Sequence, residues 1–345
     1  MPFDKDRLPE RFPDAAALDE FLTRPGQALI DDLAAVPGDI MVLGAGGKMG
    51  PTLVRLAKRG APAKRIIAVA RFSEPGLKKH LDNAGIETIT CDLMDRGAVE
   101  RLPRPANVIF MAGRKFGASA KQALTWAMNV YVPAIIAEAF RDSRIVVFST
   151  GNVYPLTDVE QRPPDETTTP RPVGEYAQSC LGRERMFEYF SGVHGTSGRL
   201  FRLNYAIDLR YGVLHDIAAK VRAGVPVDVT MGYVNVIWQG DANALALRCL
   251  KHCTAPTTPL NVSGIDTLSV RWLTEELGRR LDRKAVITGS EAPTALLTDS
   301  AAAVRLFGPP RVPIRAMLDW VADWVSRSMP SFDKPTKFEV RDGVF

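Results

Sequence analysis

Residues 40–60 read IMVLGAGGKMGPTLVRLAKRG. An apolar run from Ile40 to Leu43 enters Gly44-Ala45-Gly46-Gly47-Lys48-Met49-Gly50, and apolar residues then recur at helical spacing. This order predicts a strand, a glycine turn and a helix N-terminus, an arrangement that meets a dinucleotide pyrophosphate with main-chain amides. Gly44, Gly47 and Gly50 are spaced GxxGxxG. The first allows a tight turn, the second lets backbone approach phosphate, and the third lets the helix pack closely on the strand. Lys48 and Met49 lie in the same loop and are candidate cofactor contacts.

Outward from this stretch the chain alternates. Strands are predicted at 40–43, 65–70, 87–91, 107–111 and 145–149, and helices at 49–59, 75–84, 119–139 and 176–191. Short buried strands separated by helices predict an α/β fold with a doubly wound parallel Rossmann sheet. Residues 1–38 read as a helical extension, with helices at 15–22 and 27–35 before Pro37-Gly38. PLTDVEQRPPDETTTPRP, 155–172, reads as a polar surface loop beside the site. A strand at 198–206 resumes the sheet. Helices at 213–223, 239–251, 268–281 and 313–327 and short strands near 234–237 and 284–288 then predict a smaller C-terminal lobe. The expected units are a 1–38 extension, a 39–206 dinucleotide-binding domain, a 207–330 substrate lobe interleaved with the last sheet strands, and a 331–345 tail.

The composition sets limits. A chain of 345 residues with 24% charged and 46% hydrophobic residues is ordinary for a water-soluble protein with a large core. Its net charge of +5 is scattered, which predicts no nucleic-acid partner. The charged, proline-containing start MPFDKDRLPERFPD is no export signal, and no run of 18 apolar residues occurs, so a cytoplasmic protein without a membrane span is expected. The four cysteines, at 91, 180, 249 and 253, read as reduced structural thiols rather than as metal ligands.

The end of the second strand should address the adenosine ribose. It reads IIAVARFSEPG, placing Arg71 after Ala70, with Ser73 close by, and no acidic residue at the strand end itself. A guanidinium beside a hydroxyl suits a 2′-phosphate, which leans the reading to NADP over NAD. Arg71 could equally cap a sheet edge or stack on adenine. Cys91-Asp92-Leu93 ends the third strand, where Asp92 could accept from the adenine amino group.

With these stations in order, residues 40–328 resemble the extended short-chain dehydrogenase/reductase family, the NAD-dependent epimerase/dehydratase group. The glycine fingerprint, Asp92 and Leu93 match the family's cofactor contacts. NVIFMAGRKFGASA, 107–120, looks like the segment after the fourth strand in UDP-galactose 4-epimerases. The resemblance implies cofactor contacts at Met111, Ala112 and Gly113, a lysine near the cofactor phosphates at Lys115, and a structural asparagine at Asn129. VVFSTGNVYP, 146–155, resembles the family's fifth-strand motif. It implies a catalytic hydroxyl at Thr150, with Ser149 as neighbour and Asn152 beside it. YAQSCLGRE, 176–184, resembles the YxxSKxxGE helix and implies Tyr176 as the catalytic tyrosine and a cofactor contact.

One residue departs from that pattern. A free tyrosine, with a pKa of about 10, is a poor base. The family places a lysine four residues later, whose charge favours tyrosinate and whose ammonium holds the nicotinamide ribose. Here that position is Cys180. Three accounts stay open. The charge comes from elsewhere, such as Lys115, Arg114 or the oxidised nicotinamide. Tyr176 only binds, and another group is the base. Or turnover is lost and the chain binds cofactor as a sensor or scaffold. Cys180 itself reads more readily as a packed core residue than as a nucleophile.

The substrate is narrowed by two features. Gly151-Asn152 stands where dehydratases of the family carry Asp-Glu, so water elimination is not expected. VPVDVTMGYVNVIWQGDA, 225–242, lacks the arginine with which family members hold nucleotide diphosphates. The resemblance therefore implies hydride transfer to or from a secondary alcohol or ketone of a small sugar, sugar acid or polyol. The alternatives are an epimerase that retains its cofactor and a catalytically inactive dinucleotide-binding regulator. Arg210 and His215 lie in the segment expected on the substrate side, where Arg210 could pair with a carboxylate or merely form a salt bridge. The resemblance also implies a homodimer built on the helices at 119–139 and 176–191.

Overall fold

The computed structural model describes residues 8–115 and 117–344. The first seven residues of the expected N-terminal extension, Phe116 and Phe345 lie outside the described residues. The glycine-led stretch forms β1 (Ile40–Leu43) and α3 (Gly50–Gly60), preceded by α1 (Ala15–Leu22) and α2 (Gln27–Ala35). Then come β2 (Ile66–Ala70), α4 (Leu77–Asn83), β3 (Glu87–Thr90), α5 (Arg96–Glu100) and β4 (Asn107–Phe110). The chain continues through α6 (Gln122–Trp126), a π-helical turn at Ala127–Tyr131, α7 (Val132–Ala139), β5 (Arg144–Thr150), α8 (Gly174–His194) and β6 (Gly198–Leu203). After α9 (Val213–Ala223) and α10 (Gln239–Arg248) comes β7 (Thr258–Val262), followed by α11 (Val270–Leu281), α12 (Ala301–Phe307) and α13 (Ile314–Ser326).

All seven strands pair in parallel, in the order β7-β6-β5-β4-β1-β2-β3. This is a doubly wound Rossmann sheet. Its order reverses between β1 and β4, which opens a crevice at their carboxyl ends. Ile40–Leu43 and Ile66–Ala70 are buried throughout, as strands covered by helices on both faces must be. One face packs on α2, α3, α10 and α12, the other on α5, α7 and α8. A second apolar centre builds the smaller lobe from α9, α11 and α13 with Trp238, Trp320 and Trp324. Helix α1 and the residues just before it belong to that centre: Phe12 and Phe21 stack edgewise on Trp320 at 5.1 and 5.4 Å.

Several elements differ from the sequence reading. The strand expected at 198–206 stops at Leu203, because Tyr205 takes a left-handed conformation with φ +43°. Ala206–Ile207 then leaves the sheet to pair in parallel with Ile237–Trp238. The seventh strand, Thr258–Val262, was not predicted, since a proline and an asparagine interrupt its apolar pattern; as an edge strand it tolerates both. The helix expected at 119–139 begins at Gln122 and carries the π-helical turn. The short helices α5 and α12 were also not read from the sequence. No described helix is long and apolar enough to cross a membrane.

Candidate active site

The glycine loop folds as its residue types require. Gly44 has φ +90°, open to glycine without strain, and a Cβ there would lie 2.6 Å from the Ala112 nitrogen. The loops after β1 and β4 therefore touch. Gly47 donates to the Gly44 carbonyl at 3.2 Å and Gly50 to the Gly47 carbonyl at 3.1 Å. A Cβ on Gly50 would overlap the Ala45 backbone, so only glycine lets α3 start here. Met49 packs at the helix start against the core. Lys48 places its Nζ 3.3 Å from the centre of the Tyr211 ring. Burial, with help from Lys115 and Lys334, pushes its pKa down to about 7.

At the far rim Arg71 and Ser73 are exposed at the end of β2. Asp92 is exposed at the end of β3 and accepts from the Met94 amide at 3.0 Å, while Leu93 is buried in the core. Met111, Ala112 and Gly113 continue β4 toward α8. Asn129 fastens that loop: its Oδ1 accepts from the Arg114 amide at 2.8 Å, and its Nδ2 donates to the Arg114 carbonyl and the Ser179 hydroxyl, each at 2.9 Å.

The hydroxyl set lies where β5 ends and α8 begins. Thr150 donates to Asn152 Oδ1 at 2.9 Å and accepts from the Asn152 amide at 3.2 Å. The Tyr176 side chain packs on the cluster of Val153, Tyr154 and Cys180. Burial holds the Tyr176 phenol well above its ordinary range, Cys180 adds to that, and Arg183 opposes it. Burial also raises Cys180, against the pull of Arg183. Lys115 brings its Nζ to 5.7 Å from the Tyr176 ring centre, and burial lowers its pKa to about 8. Ser149 is committed elsewhere, donating to Glu184 Oε1 at 2.5 Å. Glu184 in turn forms a fully buried two-pronged pair with Arg202, at 2.9 and 2.7 Å.

Two expected substrate-side residues are bound up within the protein. Arg210 does pair with carboxylates, but with the chain's own: Asp208 at 2.7 Å and Asp19 at 2.9 Å. The His215 ring nitrogens meet the Leu209 carbonyl at 2.8 Å and the Ser331 hydroxyl at 3.1 Å. Neither side chain is left facing a substrate.

The sequence reading missed the segment 331–344, which crosses the cleft between the lobes as a strap. Phe332 donates to the Arg210 carbonyl at 3.0 Å. Thr336 gives its amide and hydroxyl to Asp216 at 2.7 and 2.5 Å, and its carbonyl accepts from Lys115 at 3.4 Å. Phe338 is buried, and Glu339 pairs with Lys220. Arg341 donates to the Thr294 carbonyl at 2.7 Å and its hydroxyl at 2.6 Å. Between Asn152, Tyr154 and Val173 on one side and Val340, Arg341 and Gly343 on the other, a cavity of about 20 Å³ remains. That is room for a water molecule. Polar composition hid this strap in the sequence, since its few apolar residues show no period.

The loop fits a dinucleotide diphosphate on structural grounds. Gly44, Gly47 and Gly50 leave its backbone bare. Lys115 and Lys334 act electrostatically on Lys48, and Lys337 on Lys115, against the carboxylate of Asp216, a clustering of positive charge that an anion offsets. Among the described residues no group of three or more His, Cys, Asp or Glu side chains is placed to hold a metal ion.

No family model matches the sequence, and no curated protein matches it. Solved structures do. MoeE5, in a structure with UDP-glucose and NAD, matches with a TM-score of 0.67 at 20% identity, over 84% of this chain and 99% of that one. The UDP-glucose 4-epimerase of Thermotoga maritima, with UDP-glucose, matches at TM-score 0.70 and 18% identity over 84% and 99%. The UDP-glucuronic acid 4-epimerase of Bacillus cereus, with UDP-glucuronic acid and NAD, gives 0.70 and 16% over 84% and 99%. At these identities the likeness establishes the fold: a doubly wound Rossmann sheet with a smaller lobe.

Proposed function

We propose that this chain is an NAD(P)-dependent oxidoreductase that moves hydride to or from a secondary alcohol or ketone of a small polyhydroxylated substrate, a sugar, sugar acid or polyol. The carrying observation is the placement of Thr150 at the end of β5 and of Tyr176 in the first turn of α8, with the glycine loop in contact with the loop after β4 at Gly44 and Ala112. The nicotinamide supplies the hydride chemistry when bound. Gly44, Gly47, Lys48 and Gly50 would hold its diphosphate. Thr150 orients the substrate oxygen. Tyr176, kept protonated by burial, is set to donate its proton to a carbonyl oxygen, which favours the reductive direction. An epimerase that retains its cofactor uses the same residues and differs in consuming none. Leu124, Trp126, Tyr131, Tyr189 and Val193 are exposed on the helices from α6 to α8. That strip supports a homodimer packed through these helices.

The filled cleft favours a second reading, a dinucleotide-binding protein without turnover. Full-length chain and a chain stopped after Pro330 separate the two, using NADH and NADPH fluorescence for binding and a panel of ketoses, keto acids and polyols for turnover. The enzyme reading expects turnover in at least the shortened chain and its loss in Tyr176→Phe. Cofactor binding without turnover in both chains supports the second reading, and unchanged kcat in Tyr176→Phe removes Tyr176 as the proton carrier.

A further inference from the structure

Resting on that enzyme reading, we infer that Arg183 supplies the positive charge that Cys180 lacks, acting as the positioning residue that makes the Tyr176 phenol more acidic. Arg183 sits two helical turns beyond Tyr176 and less than one turn beyond Cys180 on α8. Long helical side chains lean back toward the N-terminus, which carries this guanidinium over Cys180 toward the tyrosine.

Its surroundings fix it there. Nη1 donates to the Phe148 carbonyl at 2.7 Å, two residues before Thr150, and Nη2 donates to Asn129 Oδ1 at 3.0 Å. A Cβ on Gly113 would lie 2.3 Å from Nη2, so the loop after β4 passes close over the guanidinium. The side chain is buried, at 6% exposure. Both hydrogen-bond partners are neutral. No carboxylate lies within ion-pair distance of Arg183 among the described residues, because the adjacent Glu184 is turned to Arg202. Its Nε is buried and donates to nothing among them. A buried cation without a counter-ion is costly, and it favours any negative charge that forms beside it. The groups beside it that can take one are the Cys180 thiol and the Tyr176 phenol.

Each neighbouring charge has its place in this account. On the Tyr176 phenol act Cys180 and Arg183 from α8 and the neutral Thr150 from β5, while Lys115 from the loop after β4 lies 5.7 Å from the ring centre. Lys115 is drawn toward the strap by the Thr336 carbonyl and feels Lys337 there. Arg183, held by the sheet and by Asn129, stays when the strap moves. The sequence carried the signal inside the motif itself, since YAQSCLGRE places an arginine three residues after the substituted position.

The test replaces Tyr176 with a difluorotyrosine, whose greater acidity brings its titration into reach, and follows its ¹⁹F shift against pH in cofactor-free protein. Arg183→Met should raise the midpoint by about one pH unit, a tenfold loss of acidity. Arg183→Lys should stay near the parent. Cys180→Lys in the Arg183→Met background should bring the midpoint back, and should lower it less when Arg183 is present. In the Tyr176 protein, the pH profile of kcat should move the same way. A midpoint unmoved in Arg183→Met overturns the inference. If Arg183→Met does not fold, Arg183→Gln, which keeps hydrogen-bond donors and removes the charge, takes its place: a raised midpoint supports the inference and an unmoved one overturns it. Because the titration needs no turnover, failure of the enzyme reading shows separately, as absent activity in the assays above.

Discussion

Gly343 lies directly across Gly174, backbone against backbone. A Cβ on Gly174 would come within 2.5 Å of the Gly343 carbonyl oxygen and 2.8 Å of its Cα. Both glycines have left-handed φ, +81° and +74°. The strap is thus pinned to the first residue of α8, two residues before Tyr176. Gly343→Ala adds a Cβ where there is no space and strains φ, at least about 1 kcal/mol against the closed position. Amide hydrogen exchange over 331–344 should quicken several-fold while that of β1 and β4 is unchanged. Unaltered exchange in the strap would show that this crossing does not hold it.

Lys48 links the glycine loop to pH. Its pKa falls from an ordinary 10.5 to about 7, chiefly through burial. The unfolded chain binds this proton up to about pH 10, the folded chain only up to about 7. Between those values the unfolded state holds more protons, so this group's contribution to stability rises with pH and is lost as pH falls toward 7. A diphosphate beside the ammonium reverses the balance and restores the proton. Cofactor binding at pH 8 should therefore take up protons, and affinity should fall as pH rises above 7, by up to about tenfold per unit. Calorimetry in buffers of different ionisation enthalpy reads the uptake directly. Lys48→Met should abolish it.

The parallel sheet was legible because its physics is local. Ile40–Leu43 and Ile66–Ala70 are unbroken apolar runs between turn residues, and α1, α2 and α9 fall where their periodicity placed them. Thr150 and Tyr176, which the family resemblance implied, fall at the end of β5 and in the first turn of α8, regular elements whose positions the sequence pattern gives. The fate of Arg210 was not legible: Asp208, two residues before it, is a local partner, but Asp19 reaches it only through the docking of α1 on the smaller lobe. Nor was the strap. Thr336 meets Asp216 and Lys115 from 120 and 221 residues away, and no short-range pattern encodes such contacts.

Glu184 and Arg202 form a pair with almost no exposure, 0% and 3%. Ser149 donates to the glutamate, and Arg202 reaches the Tyr154 hydroxyl at 2.7 Å, tying β5, β6 and α8 together beneath Thr150. Glu184→Gln leaves the Arg202 charge buried without its counter-ion, which should cost about 3–5 kcal/mol. Replacing both residues by Met should recover much of that loss. Urea unfolding of the two single variants and the double variant measures it. A single-variant cost below about 1 kcal/mol would mean that water reaches this pair.

Arg71 and Ser73 bear on which dinucleotide is preferred. They stand exposed just past the buried Ala70, at the end of the strand next to β1, where the adenosine ribose of a dinucleotide on this sheet falls. No carboxylate ends β2 to accept from a 2′-hydroxyl. A guanidinium can instead make charge-assisted bonds to a 2′-phosphate. Hydrogen bonds to charged groups are worth about 1.5–3 kcal/mol. Arg71→Ala should therefore weaken NADPH binding by about ten- to a hundredfold and leave NADH binding within about threefold, because only the phosphate loses its partner. Fluorescence titration with both reduced cofactors checks this. Equal losses for the two would place Arg71 on the adenine ring, where it stacks without distinguishing them.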